Sequence, residues 1–213
     1  MTAFYHIPVL PEESIRGLNL FPGANVADAT YGGGGHSRLI LKELGDGRLF
    51  AFDQDEDAAE QVIRDERLIF IHHNFRYIRN FLRFFHVNRL DAVFADLGVS
   101  SHDFDVAERG FSFRFDSKLD MRMNREGKTD AAFVVNNYSE DRLILIFALY
   151  GEIKNARHLV SEIIRERSRN PIRTTTRLKE IASRCAPKAV GNKYLARVFQ
   201  ALRIEVNLSL IHI

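Results

Sequence analysis

The feature of this sequence that most constrains its fold is an alternation of short apolar runs with helical stretches in the first hundred residues. Four runs rich in Val, Ile, Phe and Ala occupy 25–28, 48–53, 68–71 and 90–96. Residues 37–44 and 57–64, which lie between the first three runs, have helical composition. Such alternation is typical of βαβ units, whose strands pair in parallel. We therefore predict an α/β core with a parallel sheet over residues 1–106.

The second half of the chain has a different periodicity. Apolar residues recur there at helical spacing in three groups, 156–164, 178–185 and 195–206. Helix breakers at Gly151, Pro171 and Pro187 separate these groups. We therefore predict an all-helical domain over residues 107–195.

The formal net charge of +2 conceals an uneven distribution. Residues 1–105 hold 10 Lys and Arg against 16 Asp and Glu, which is a net charge of −6. Residues 106–200 hold 19 against 11, which is a net charge of +8. Charge asymmetry of this kind often marks a part of a protein that binds a polyanion. The helical domain is therefore the candidate for such binding.

Two further features bear on the location of the protein. The longest apolar run, 143–150, is far shorter than the roughly 20 residues that span a bilayer, so we predict no membrane partner. Cys185 is the single cysteine, so the chain forms no internal disulfide, in keeping with a reducing compartment. We expect a cytoplasmic protein.

A glycine-rich segment directly follows the first predicted strand and reads Asp-Ala-Thr-Tyr-Gly-Gly-Gly-Gly-His-Ser over residues 28–37. Glycines at such a turn let the backbone approach a ligand and direct N–H groups towards it. No Gly-Lys-Ser/Thr follows, which excludes a phosphate-binding Walker loop, and Ser37 occupies the third glycine position of a dinucleotide fingerprint. A glycine turn without a ligand explains the segment equally well.

Acidic residues end two more of the predicted strands. Asp53 lies 25 residues after Asp28, where a carboxylate can accept hydrogen bonds from an adenosine ribose. Phe75, after the third strand, would either stack on an adenine or belong to the core. Asp96 ends the fourth strand, at the edge where open α/β sheets hold their reaction centres. No residues stand at metal-ligand spacing, so we predict no metal.

Arginines and aromatic residues alternate just beyond the core, and four of them form a candidate RNA-binding strip: Arg109, Phe111, Phe113 and Arg122. Aromatic rings can stack on unpaired bases while arginines neutralise phosphates. A loop packed on the core is an equally plain interpretation of the same residues.

Taken in order, these blocks resemble the MraW-type methyltransferases, which use S-adenosylmethionine to methylate the N4 amine of a cytosine in the decoding region of bacterial small-subunit ribosomal RNA. The resemblance covers nearly the whole chain and rests on these segments: 6–10, 28–37, 53–55, 74–75, 96–101, 109–113, 119–123, 150–152 and 199–204 with Asn207. It implies a Rossmann-like methyltransferase core in which residues 107–195 are an inserted domain, followed by a helix in 196–213 that returns to the core. It also implies small-subunit ribosomal RNA, or the assembled small subunit, as the partner of a monomer or homodimer.

The resemblance also implies individual site residues. Those expected to contact S-adenosylmethionine are Gly34, Gly35, His36, Asp53, Phe75, Asp96 and Asp103. Asp103 stands where the family commonly has Gln, which keeps an acceptor but loses a donor. Asp96 is expected to act in catalysis as well, by accepting a hydrogen bond from the reacting amine.

Two departures from the family leave alternatives open. Tyr31 stands where an aliphatic residue is usual, and after Asn207 the family pattern stops, so we expect 208–213 to be non-native and the last core strands to be missing. A methyltransferase acting on DNA or protein remains an alternative, as does an inactive RNA-binding fragment. An NAD-linked dehydrogenase is a further alternative, although the third glycine of its fingerprint is absent.

Overall fold

In the computed structural model of the protein, which describes residues 8–98, 104–187 and 190–207, the chain divides into two compact units. The division falls between Ser100 and Ser101, six residues before the boundary predicted from the charge and periodicity of the sequence. Unit 1 holds the acidic first part of the chain. Unit 2 holds the basic second part.

Unit 1 is built on a four-stranded sheet. Its strands are β1 (Asn25–Asp28), β2 (Arg48–Asp53), β3 (Leu68–His72) and β4 (Ala92–Phe94). They lie in the order β3-β2-β1-β4, and all three neighbouring pairs are parallel. The predicted parallel α/β core is thereby confirmed.

Helices cover both faces of this sheet. They are α1 (Pro11–Leu18), α2 (Gly35–Glu43), α3 (Glu56–Ala59) and α4 (Ile78–Phe84), with a 3-10 turn at Phe75–Tyr77. Both faces need cover because the side chains of a strand such as β2 point alternately to the two faces of the sheet. Leu49 packs with Ile40 of α2, whereas Phe50 packs on the opposite face, where Phe81 of α4 lies.

The register of the sheet brings the carboxyl ends of its strands to one edge. Asp28 of β1 pairs with Ala51 of β2 on one side and with Phe94 of β4 on the other. Asp53 ends β2 opposite His72 of β3. The turns that follow these strands therefore lie side by side, which is where open parallel sheets bind their ligands.

Unit 2 is mainly helical. Its helices are α5 (Ala131–Asn137), α6 (Glu140–Leu149), α7 (Ala156–Arg167), α8 (Thr175–Cys185) and α9 (Gly191–Asn207). Side-chain caps begin three of them, since Asp130, Ser139 and Thr174 each accept a backbone N–H of the first turn. Residues 110–130 form loops instead of helices, so this part of the predicted all-helical domain is irregular.

The last helix, α9, starts at Gly191 and packs on α6 and α8 within unit 2. The return of 196–213 to the core stays a prediction. Its buried face carries Leu195, Phe199 and Leu202, which match the apolar faces of those helices. The amphipathic pattern predicted the helix but not the partner against which its apolar face packs. Residues 208–213 lie outside the described residues.

Candidate active site

The buried carboxylate of Asp28 organises the turn after β1. Its Oδ1 accepts the backbone N–H of Thr30 at 2.9 Å, and its Oδ2 accepts the hydroxyl of Ser37 at 2.7 Å. The Asp28 side chain has no solvent exposure, and this burial raises its pKa to about 6. The two groups that donate hydrogen bonds to this carboxylate, at the start of the glycine loop, are both neutral.

Asp53 connects the end of β2 to the same loop. Its Oδ2 accepts the N–H of Gly32 at 2.7 Å, and its Oδ1 accepts the N–H of Asp55 at 2.9 Å. Burial raises the pKa of Asp53 as well, and its hydrogen bonds with backbone N–H groups oppose that rise. Each carboxylate oxygen can accept a second hydrogen bond, so Asp53 can still receive the hydroxyls of a bound ribose.

The glycine loop needs its glycines for two different reasons. Gly34 has a φ of +73°, and a Cβ there would lie 2.6 Å from the hydroxyl oxygen of Tyr31. Gly32 also has a positive φ, of +53°, but a Cβ on it would meet no heavy atom of the described residues within 4 Å. Gly34 is thus needed for packing inside the unit, whereas Gly32, next to Asp53, is not crowded by any described residue.

The next two predicted contacts lie against the N-terminal segment. A Cβ on Gly35 would lie 3.1 Å from Cγ of Pro8. The His36 ring stacks on Phe94 with centroids 4.5 Å apart, and its Nε2 lies 3.0 Å from the carbonyl oxygen of Val9, to which it donates. His36 is buried in these contacts.

Asp96 and Phe75 complete the edge. Asp96 is exposed two residues beyond β4, and its backbone N–H donates to Oγ1 of Thr30 at 2.7 Å. Phe75 is half-buried and packs against the cluster that contains Phe50 and Phe52. Part of the Phe75 side chain therefore belongs to the core, and the rest is exposed. Asp103 lies outside the described residues.

The structure buries two of the four residues of the predicted RNA-binding strip. Arg109 and Phe111 are 4% and 0% exposed, which favours the alternative interpretation of a loop packed on a core. The Arg109 guanidinium lies 5.2 Å from the centroid of the Phe111 ring and donates to the carbonyl oxygens of Arg122 and Met123. These contacts of the buried Arg109 side chain connect residues 109–111 to residues 122–123.

The other two residues of the strip are half-buried. Phe113 packs edge-on against Phe199 of α9, with ring centroids 5.4 Å apart. Arg122 donates from Nε to Asp120 at 2.7 Å and from Nη1 to the carbonyl of Gly127 at 2.6 Å. Their contacts support the interpretation of a loop packed on the core of unit 2.

Three residues at the edge were quoted in the glycine motif but given no role by sequence reasoning. Thr30 links Asp28 to Asp96, and Ser37 fixes Asp28. Tyr31 is buried, and its hydroxyl accepts the N–H of Ile63 at 2.9 Å. The spacing Asp28–Thr30 is that of an Asx turn, which was a readable signal for the first contact.

Other features of the described residues do not coincide with this edge. A cavity of about 760 Å³ lies between α1 and α2 and is lined by Pro8, Ile15, Leu39 and Lys42 among others, without any of the predicted site residues. Within the described ranges, no three His, Cys, Asp or Glu side chains are grouped to hold a metal. No described helix combines the length and apolar character that crossing a membrane requires.

Comparison with known protein families identifies the family of this chain. The model of the MraW methylase family matches residues 3–213. The chain belongs to the MraW methylase family. Its glycine loop and strand-end carboxylates are therefore those of a methylase core.

Curated relatives of this MraW methylase carry the name "Ribosomal RNA small subunit methyltransferase H". The protein from Bacteroides fragilis strain YCH46 is 54% identical over 204 residues, which cover 95% of this chain and 67% of the relative. That from Flavobacterium johnsoniae is 51% identical over 97% of this chain and 68% of its own length. That from Cytophaga hutchinsonii is 49% identical, covering 95% and 69%.

S-adenosylmethionine, the cofactor of MraW methylases, fits the residues at the edge. Among the described residues, no heavy atom would lie within 4 Å of a Cβ on Gly32, and the Asp53 carboxylate that accepts its N–H keeps acceptor capacity for ribose hydroxyls. The buried negative charge of Asp28 also favours a positively charged group such as the sulfonium electrostatically. The chemistry of this set of side chains therefore agrees with the cofactor of the family.

Proposed function

We propose that this MraW methylase transfers a methyl group from S-adenosylmethionine to the N4 amine of a cytosine in small-subunit ribosomal RNA. The names of its relatives support the substrate class. The observation that carries the proposal is the pair formed by Asp53, bonded to the glycine loop, and Asp96, bonded to the turn before that loop. In this proposal one carboxylate binds the nucleoside and the other contacts the reacting amine.

The cofactor is proposed to bind across the turns that follow β1 and β2. Asp53 accepts the ribose hydroxyls, and the backbone of Gly34, Gly35 and His36 approaches the rest of the molecule. Phe75 contributes the exposed part of its ring to the adenine side of the pocket. Asp103 stays in the proposed set from its place in the family motif.

The chemical step needs help from the protein because the lone pair of a cytosine amine is delocalised into the ring. S-adenosylmethionine, when bound, supplies a methyl group whose bond to sulfur breaks as the new bond to nitrogen forms. The Asp96 carboxylate accepts a hydrogen bond from the amine and favours a pyramidal nitrogen. It also stabilises the positive charge that develops there and receives the proton that the nitrogen loses.

Alignment of the two reactants is proposed to make the larger contribution to the rate. Holding amine and methyl group in line removes most of the entropic cost of their meeting. The target base has to leave its stack to enter the site, at a cost of about a few kcal/mol, which is lower for a single-stranded base. In this proposal residues 107–195 recognise RNA, and the protein works in the cytoplasm, where ribosomes assemble.

The assay for this function uses labelled S-adenosylmethionine with small ribosomal subunits that lack the modification. We expect label in the ribosomal RNA, and mass mapping should locate it on the N4 atom of one cytosine. Label in DNA or in a protein instead would favour a different methyltransferase. RNA binding without any transfer would favour an inactive RNA-binding fragment.

The role of Asp96 is tested by Asp96→Asn. We expect the single-turnover rate of transfer to fall by about 100-fold, the size of effect common for proton-accepting groups, with a change in cofactor affinity of less than about threefold. The matched control is Asp91→Asn, just before β4, where the side chain accepts the N–H of Asn25 at 2.9 Å. Equal losses of rate and affinity in Asp96→Asn would make Asp96 a binding residue only.

A further inference from the structure

Thr30 follows β1 and connects two of the acidic residues at this edge, Asp28 at the end of β1 and Asp96 just beyond β4. Its N–H donates to Oδ1 of Asp28 at 2.9 Å, and its Oγ1 accepts the N–H of Asp96 at 2.7 Å. We propose that Thr30 is a positioning residue for methyl transfer, which holds the backbone of Asp96 so that its carboxylate meets the amine. This inference rests on the role proposed for Asp96.

The backbone of Asp96 needs such a tether because β4 is short. The strand has three residues and lies at one end of the sheet order, next to β1. The pairing of the two strands ends at Asp28 and Phe94, after which the N–H of Ala29 donates to the carbonyl of Phe94 at 2.8 Å. The hydroxyl of Thr30 then takes the next N–H, that of Asp96. The Thr30 side chain thus adds one hydrogen bond beyond the end of the backbone pairing between β1 and β4.

Thr30 is itself held in place by Asp28. Asp28, which receives its N–H, is fully buried and also accepts the hydroxyl of Ser37 in the first turn of α2. The branched side chain of threonine has few χ1 rotamers, so a fixed backbone also fixes the oxygen. A continuous chain of hydrogen bonds therefore runs from Ser37 through Asp28 and Thr30 to Asp96.

This arrangement separates the effect of Thr30 on the reaction from its effect on cofactor binding. Asp53, the residue proposed to hold the ribose, is bonded to Gly32 and Asp55 and not to Thr30. Loss of the Thr30 hydroxyl should therefore move Asp96 while Asp53 keeps its partners. Displacement of a catalytic group by about 1 Å can cost about 100-fold in rate.

The experiment compares Thr30→Val, which keeps the shape but lacks the hydroxyl, with Thr30→Ser, which keeps the hydroxyl. We expect Thr30→Val to lower the single-turnover rate about 10- to 100-fold, with cofactor affinity by calorimetry changed less than about threefold. Thr30→Ser should restore most of the rate. If valine prevents folding, as judged by circular dichroism, Thr30→Ala is measured with the same expectation.

Asp96→Asn in the same assay separates failure of this inference from failure of the proposed function. Should Asp96→Asn lose the rate while Thr30→Val keeps it, Thr30 has no positioning role and Asp96 remains catalytic. Equal losses in Thr30→Val and Thr30→Ser also overturn the inference. A normal rate in Asp96→Asn, or no transfer by the unaltered protein, overturns it together with the role proposed for Asp96.

Discussion

The buried carboxylates of the two units are stabilised in opposite ways. At the carboxyl edge of unit 1, Asp28 receives the hydroxyl of Ser37 and the N–H of Thr30, and Asp53 receives the N–H of Gly32. These donors are neutral, so burial dominates and raises the pKa of both carboxyl groups.

In unit 2, arginines partner the carboxylates. Burial by itself raises the pKa of Asp120 and of Glu166, but arginine charges and hydrogen bonds outweigh it and lower both values. Arg122 donates to both oxygens of Asp120, each at 2.7 Å. Arg177 and Arg184 both contact Glu166, the latter at 3.0 Å.

The difference indicates which carboxylates serve a ligand. A carboxylate already neutralised by arginine has little left to offer a cation or a hydroxyl group, so it stabilises the fold. A buried carboxylate held by neutral donors keeps its charge available to a ligand, at a cost in stability. The comparison thus supports the proposal that the edge of unit 1 binds the ligand, and it is in keeping with a structural role for the pairs of unit 2.

The strongest test of the comparison is the loss of Asp53. We expect Asp53→Ala to weaken the binding of S-adenosylmethionine by about 100-fold or more in calorimetry, since hydrogen bonds to a charged group are worth about 1.5–3 kcal/mol each. Asp65→Ala is the matched control, because Asp65 also lies in unit 1 but pairs with Arg67 at 2.6 Å. Unchanged affinity in Asp53→Ala would remove Asp53 from the site.

The second test uses the pH dependence of stability at Asp28. A folded-state pKa of about 6, above the ordinary 3.8, means that the folded protein binds the proton more tightly than the unfolded chain. The stabilisation is therefore complete below about pH 4 and is lost as the pH rises through 6. Between pH 7 and pH 5 the protein should gain about 1 kcal/mol relative to Asp28→Asn.

Urea unfolding of both proteins at pH 5 and pH 7 measures this gain. The remaining acidic groups are common to the two proteins, so the contributions of those that do not interact with Asp28 cancel in the comparison, whereas the interaction with Asp53 is part of the measured difference. Parallel pH profiles of the two proteins would contradict a raised pKa for Asp28.

The smallest expected effect is that of a change in unit 2. Glu166→Gln removes the charge that Arg177 and Arg184 share, and we expect the thermal midpoint to fall by a few degrees. Cofactor affinity should stay unchanged, because the pair supports the fold of unit 2. A weaker cofactor affinity in Glu166→Gln would contradict the view that the arginine-paired carboxylates of unit 2 serve only the fold.

Much of the core was readable from local sequence. The alternation of apolar runs predicted β1 to β4, and the aspartates that end them marked the edge at which the turns meet. Backbone chemistry explains this success, because parallel strands with short connections leave few arrangements open. The glycine loop was readable for the same reason, since a positive φ at Gly34 excludes most other residues.

The strip from Arg109 to Arg122 shows where such reasoning ends. Arginines alternating with aromatic rings look the same in sequence whether they face an RNA or the interior of a loop. Burial of Phe111 and Arg109 depends on contacts with distant segments, such as the bond from Nη1 of Arg203 to the carbonyl of Phe111. Contacts between residues far apart in the chain leave no local signal.

By itself, the sequence determined the α/β class of unit 1, the helical character of unit 2, the family and the positions of the acidic strand ends. Tertiary structure alone decided that α9 packs within unit 2, that Arg109 faces inwards and that Thr30 joins Asp28 to Asp96. The physical reason is the range of the interactions involved. Strand and helix patterns arise from neighbouring residues, whereas burial and the hydrogen bonds between strand ends exist only once separate parts of the chain have come together.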